Sequence, residues 1–158
     1  MSKPSREYIY GINPAFEVVR AGKRKVYEAY LNQASSKQPR IKKLSQYLER
    51  MNIPMQWTDK GRLNDLAGSR DHQGAFLKAR PYPYQASETL WDRPNILLLD
   101  NVEDPHNVGG ILRSAEIFGF HTILLSSKGV PDIYPSVVKV SAGATEFLDI
   151  AKDSSANK

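Results

Sequence analysis

Residues 100–119 read Asp-Asn-Val-Glu-Asp-Pro-His-Asn-Val-Gly-Gly-Ile-Leu-Arg-Ser-Ala-Glu-Ile-Phe-Gly. They follow Ile96–Asp100, a strand nearly continuous in apolar residues, as in a parallel sheet covered on both faces. The acidic loop ends at Pro105 and Asn107. A helix near Asn107–Phe118 is expected next, with Ile111, Leu112, Ala115 and Phe118 on its apolar face and Gly119 as its stop. Strand, loop and helix in this order build a site at the carboxyl end of a strand, where open α/β sheets bind their ligands. Thr122–Leu125 reads as a second buried strand and completes a βαβ unit. Ser126–Pro135 reads as a loop, and Val137, Val138 and Val140 lead into Ser141-Ala-Gly-Ala-Thr-Glu-Phe-Leu. The polar stretch Lys152–Lys158 is expected to be disordered.

Within this unit the glycines Gly109 and Gly110 allow a backbone or ligand to come close, and helix N–H groups attract anions such as RNA phosphates. A dinucleotide fingerprint is missing, since GxGxxG is absent and no acidic residue is placed to hold a ribose. A P-loop is missing because there is no Gly-Lys-Ser/Thr. A nucleotide-dependent oxidoreductase therefore has little support. Arg113 lies about 200° around the helix from Ile111, at ~100° per residue, and one turn from Gly110. Spacing leaves two readings open for it: a surface arginine paired with Glu116 at i+3, or a cation facing a substrate.

The amino-terminal half has a different texture. Tyr8–Gly11 is a short β-like run. Asn13-Pro14 is expected to open a helix, with Asn13 as N-cap and Pro14 at the first helical position. Ala15, Phe16, Val18 and Val19 form its apolar face and Gly22 ends it. Val26–Leu31 reads as a strand and Ser35–Pro39 as a polar loop. Arg40–Met51 reads as a helix with Ile41, Leu44, Tyr47, Leu48 and Met51 at helical spacing. Ile53–Trp57 and Gly74–Ala79 read as strands, and Leu63–Ala67 as a short helix ended by Gly68. The expected organisation is a small α/β domain over residues 1–80, a linker over 81–94 rich in proline and aromatics, and a second α/β domain over 95–158. The linker tyrosines and Trp91 suit either docking onto a domain or stacking on bases.

Residues 1–93 hold 17 Lys/Arg against 9 Asp/Glu, a net +8. Residues 94–158 hold 5 against 8, a net −3, and together these give the chain's +5. A basic half is a footprint for nucleic acid, because phosphate contacts release counterions; a soluble surface rich in Lys and Arg accounts for it equally. Lys23, Arg24 and Lys25, with Arg40, Lys42 and Lys43 on the polar side of the second helix, are the candidate RNA contacts. Cysteine is absent, which excludes a disulfide framework, a Cys-ligated zinc site and a thiol nucleophile. His72, His106 and His121 are scattered, so no metal is expected. No run approaches the ~20 apolar residues of a membrane span, and the start lacks a signal-peptide core. A soluble cytoplasmic protein is the expectation.

The segment Leu99–Gly119 closely resembles the first signature motif of the SpoU/TrmH family of RNA ribose 2′-O-methyltransferases, of the SPOUT superfamily. Val138-Lys-Val-Ser-Ala-Gly-Ala-Thr-Glu-Phe147 resembles the family's downstream Ser-x-Gly-Ala segment. Ile9-Tyr-Gly-Ile-Asn-Pro-Ala-Phe-Glu-Val-Val and Asp71-His-Gln-Gly-Ala-Phe resemble the domain that precedes the catalytic one in ribosomal-RNA members. The resemblance spans about residues 8–150. It implies a substrate-binding domain like small RNA-binding ribosomal proteins, followed by the amino-terminal part of a trefoil-knotted α/β methyltransferase domain, homodimeric in the complete protein. It implies methyl transfer from S-adenosylmethionine to a ribose 2′-hydroxyl, of a guanosine in large-subunit ribosomal RNA, without metal. The motif's asparagine and arginine fall on Asn107 and Arg113. The family arginine is thought to help remove the 2′-proton; a guanidinium with pKa above ~12 is a poor base, and Arg113 equally suits gripping the adjacent phosphate and stabilising alkoxide charge. Asn107 would order the loop or contact the ribose. The family's second and third motifs, which form most of the cofactor pocket, lie beyond the equivalent of residue 158. The cofactor-binding residues are therefore expected mainly beyond residue 158, and the chain alone is expected to be inactive. The alternative is a non-catalytic RNA-binding or ribosome-assembly protein derived from the same family.

Overall fold

Four strands of the first half pair into one sheet: β1 (Glu7–Tyr10), β2 (Val26–Asn32), β3 (Met55–Thr58) and β4 (Ala75–Ala79). The order is β1-β4-β2-β3, with β4 antiparallel to both neighbours and β2 parallel to β3. The computed structural model describes residues 5–153 and divides them into two units, one ending at Pro81 and one beginning at Tyr82. In the first unit, α1 (Ile12–Ala21) and α2 (Pro39–Arg50) bury Ala15, Val18, Ile41, Leu44 and Leu48. On another part of the sheet α3 (Lys60–Ala67) places Leu63 against Tyr30 and Phe76. Alternate strand residues face opposite sides, so β4 supplies Phe76 to that cluster while Leu77, wholly buried, points the other way.

The start of α1 differs from the sequence expectation. Gly11 is the N-cap, at φ 104°, and the helix begins at Ile12, so Asn13 and Pro14 lie inside the first turn. The reason is long-range. The Ile12 N–H, unpaired at a helix start, donates to Gln73 Oε1 at 3.2 Å from 61 residues away. Gly22 ends α1 in the left-handed region, as expected.

The second unit is a parallel sheet in the order β5-β6-β7, formed by β5 (Ile96–Leu99), β6 (Thr122–Ser126) and β7 (Asp149–Asp153). Between them run α4 (Pro105–Ile117) and α5 (Pro135–Val140). Burial on both faces holds for β6, every residue of which is buried, but not for β5, where Leu98 is 46% exposed at the sheet edge. The buried face of α4 is Val108, Gly109, Leu112 and Ala115; Ile111 and Phe118, expected on it, are exposed. Gly119, at φ 81°, closes the helix: Phe120 N–H donates to Ala115 O and Gly119 N–H to Glu116 O, a Schellman motif.

Two further expectations change. Lys152 and Asp153 belong to β7, and Lys152 Nζ donates to Val130 O and Asp132 Oδ1, both at 2.9 Å. Residues 154–158 lie outside the described residues. Of the expected linker, Tyr82 is buried in the second unit, its hydroxyl 2.7 Å from Leu148 O and 3.1 Å from Thr145 O, and its ring is edge-on to Tyr84 at 5.3 Å. Tyr82→Phe strips both carbonyls of that donor and is expected to lower stability by about 1–2 kcal/mol. Urea denaturation of the pair of proteins measures it, and an unchanged midpoint would contradict it.

Candidate functional site

The start of α4 is set by local chemistry. Asp104 is its N-cap, its Oδ1 accepting from His106 N–H at 2.8 Å, and Pro105 takes the first helical position. An Asp cap satisfies one orphan N–H and favours the helix dipole; the proline has no N–H to waste there. Five residues thus lie between the end of β5 and the start of the helix, and its first turn carries Asn107.

Asn107 is exposed and lines a groove of about 600 Å³ with Leu97, Val102, Gly110, Ile111 and Ser114. Arg113 is also exposed but is not part of that lining. Six residues separate the two, which is about 9 Å along the axis and about 120° around it. The helix therefore presents both residues to solvent on different faces. Among the described residues Arg113 forms no ion pair with Glu116, so the i+3 pairing is not realised.

That groove is a poor match for S-adenosylmethionine. Its polar side chains are His106, Asn107 and Ser114, the rest of the wall is largely apolar, and no carboxylate lines it to take ribose hydroxyls. The residues that line this groove do not by themselves fit the cofactor. Among the described residues, no group of three or more His, Cys, Asp or Glu is placed to hold a metal ion, and no helix is long and apolar enough to cross a membrane.

The six candidate RNA contacts separate into three situations. Lys23 and Lys25 sit at the end of the sheet where β2 begins, and Lys25 Nζ lies 5.4 Å from the centre of the Tyr27 ring. Arg40, Lys42 and Lys43 are exposed in the first turns of α2, beyond the other end of β2, about 20 Å away for a strand of this length. Arg24 is a correction. Its side chain is wholly buried and its Nη1 lies 3.2 Å from both Glu7 Oε2 and Arg80 O. It holds the sheet edge together and is not available to phosphate.

Sequence reading missed two partners of Arg40. Lys60 and Arg70 join it around a cavity of about 570 Å³ in the first unit. Nothing local marks them; they come from the start of α3 and from the turn before β4, and only folding gathers them.

The comparisons agree across both units. Residues 8–85 match the family model described as RNA 2′-O ribose methyltransferase substrate binding, and residues 94–158 match the SpoU rRNA Methylase family. The chain is 27% identical over 153 residues to the putative TrmH family tRNA/rRNA methyltransferase YacO of Bacillus subtilis, covering 92% of this chain and 60% of that protein. It is 28% identical over 152 residues to the 23S rRNA (guanosine-2′-O-)-methyltransferase RlmB of Salmonella typhi, covering 92% and 62%. The chain thus spans about 60% of the length of these relatives. The fold is that of the SpoU methyltransferase AviRb from Streptomyces viridochromogenes, solved in complex with AdoMet, at a TM-score of 0.76 and 19% identity over 96% of this chain and 56% of that one. With both of its units matched in order, the chain belongs to the SpoU family of RNA 2′-O-ribose methyltransferases.

Proposed function

We propose that the protein carrying this chain transfers a methyl group from S-adenosylmethionine to a ribose 2′-hydroxyl of ribosomal RNA, at a guanosine of the large subunit, and works as a homodimer in the cytoplasm. Residues 1–80 act as its RNA substrate-binding domain. Residues 95–158 supply the RNA side of the methyl-transfer site. The observation that carries this reading is the presentation of Asn107 and Arg113 to solvent by α4, at the carboxyl end of β5. An unpaired guanidinium on a rigid helix is suited to grip the phosphate next to the target ribose bidentately and to stabilise charge on the 2′-oxygen as its proton leaves. Asn107 contacts the ribose or orders the loop before it. Lys23, Lys25, Lys42 and Lys43 add sequence-independent attraction to the RNA backbone.

In the protein that carries this chain, Arg113→Ala is expected to lower 2′-O-methylation by about 10²–10³-fold, the usual cost of losing one charge-stabilising donor. RNA affinity should stay within about threefold, since one exposed phosphate contact is lost among several. Arg113→Lys should recover little of the rate, because an ammonium cannot reproduce the planar fork. Tritiated methyl incorporation and filter binding measure the two quantities. Unchanged methylation in Arg113→Ala would reject the role given to Arg113, whereas salt-dependent RNA binding with no methylation by the unaltered protein would favour the non-catalytic RNA binder.

A further inference from the structure

The cavity of the first unit combines two chemistries. Its rim carries Arg40, Lys60 and Arg70, and no carboxylate lines it. Asn32, which is buried, and Gln38 and Gln73, which are exposed, add side-chain amides to the lining. Its volume, about 570 Å³, lies in the range of small-ligand sites.

The cavity is also a built feature. His72 is 3% exposed; its Nδ1 accepts from Gly74 N–H at 2.9 Å, which leaves Nε2 to donate to Asn64 Oδ1 at 2.9 Å. This fixes the turn Gln73-Gly74, where both residues have positive φ. A Cβ on Gly74 would stand 3.2 Å from Asn32 Cβ, so a glycine keeps the floor open. Lys60 is the first residue of α3, whose cap is fixed by Asp59 Oδ1 accepting from Arg62 N–H at 2.9 Å. That bond holds the Asp59 carboxyl below the usual carboxylate range. Arg40, in the first turn of α2, donates through Nη2 to Asn13 Oδ1, which aims it while leaving other N–H groups for a ligand.

Cations suit phosphates, and side-chain amides suit the hydrogen-bonding edge of a base. In an RNA duplex that edge is paired, whereas loops and bulges offer it splayed out. A concave pocket can take only a base out of the stack. We propose that this cavity takes one unpaired nucleotide of an RNA loop or bulge, with its base against the amides and the flanking phosphates on Arg40, Lys60 and Arg70. The inference rests on the reading that the first unit binds RNA, and names which structural class of RNA it selects.

Fluorescence anisotropy of the whole 158-residue chain tests it, with a labelled hairpin carrying an open loop and the same stem closed as a duplex. The hairpin should bind at least about tenfold more tightly. Combined Arg40→Ala, Lys60→Ala and Arg70→Ala, all at exposed positions, should cost about tenfold or more in hairpin affinity. It should also lower the slope of log affinity against log salt by about 2, at ~0.7 per single-strand phosphate contact. Gln38→Ala should narrow the hairpin preference with the salt slope unchanged. Lys23→Ala with Lys25→Ala should weaken both RNAs alike. Equal, salt-dependent binding of hairpin and duplex by the unaltered chain would overturn the pocket while leaving RNA binding intact. Retained hairpin preference in the triple variant would also overturn it. Displacement of the hairpin by micromolar guanosine monophosphate would assign the cavity to a free nucleotide and likewise overturn it. Absence of any salt-dependent RNA binding would remove both readings together.

Discussion

Arg24→Ala is expected to destabilise the first unit by about 3–5 kcal/mol, the cost of removing one partner from a buried ion pair. The Arg24 side chain has no solvent exposure and Glu7 opposite it has 11%. Glu7 begins β1, and Arg80 follows β4, its antiparallel neighbour in the register Glu7 to Ala79. One guanidinium therefore ties the loop before β2 to the ends of two adjacent strands. Alanine would take the guanidinium away from a carboxylate that water barely reaches and leave the Arg80 carbonyl short of a donor. Replacing both partners by apolar residues, Arg24→Met with Glu7→Leu, should recover most of the loss, since both buried charges are then gone. Urea denaturation gives the stability, and anisotropy on the folded protein should show RNA affinity within about twofold, because the residue never meets phosphate. A tenfold loss of RNA affinity at unchanged stability would instead make Arg24 a contact.

The misreading of Arg24 shows where sequence reasoning stops. Lys23, Arg24 and Lys25 are three adjacent cations, and nothing in their spacing says that the middle one turns inward to a carboxylate 17 residues earlier. The same limit hid Lys60 and Arg70, which meet Arg40 only once three connections converge. By contrast, features carried by short-range chemistry were legible. Gly22, Gly68 and Gly119 stop helices where expected, and the apolar run in β6 is buried on both faces. The face of α4 fell between these cases. Val108, Ile111, Leu112, Ala115 and Phe118 wrap more than one stripe of the helix, so periodicity had two solutions. The structure chose the one that also buries Gly109. Asn107 and Arg113 were identified through family resemblance; their exposure on separate faces of α4 belongs to the structure.

Gly109 yields the second large effect, because α4 meets α5 there with no room for a side chain. A Cβ at this position would lie 2.7 Å from Val140 Cβ, 2.9 Å from Val140 Cγ1 and 3.1 Å from the backbone oxygen of Val137. A Cβ and a carbonyl cannot rotate away, so α5 as a whole would have to retreat. Alanine for glycine in a helix ordinarily gains about 1 kcal/mol. At position 109 the sign should reverse, to a loss of about 1–3 kcal/mol from overpacking, and Gly109→Val should cost more. Gly110 is the internal control, since a Cβ there meets no atom within 4 Å; Gly110→Ala should therefore gain up to about 1 kcal/mol. Two neighbouring glycines with opposite responses separate helix propensity from packing. Val140→Ala keeps the clashing Cβ and should rescue Gly109→Ala only in part. Thermal and urea denaturation of the single and double variants read these differences. Because α4 also carries Asn107 and Arg113, pushing it off α5 displaces both at once. In the protein proposed to carry this chain, Gly109→Ala should thus reduce methyl transfer more than its stability loss alone explains, whereas Gly110→Ala should leave the position of Arg113 intact.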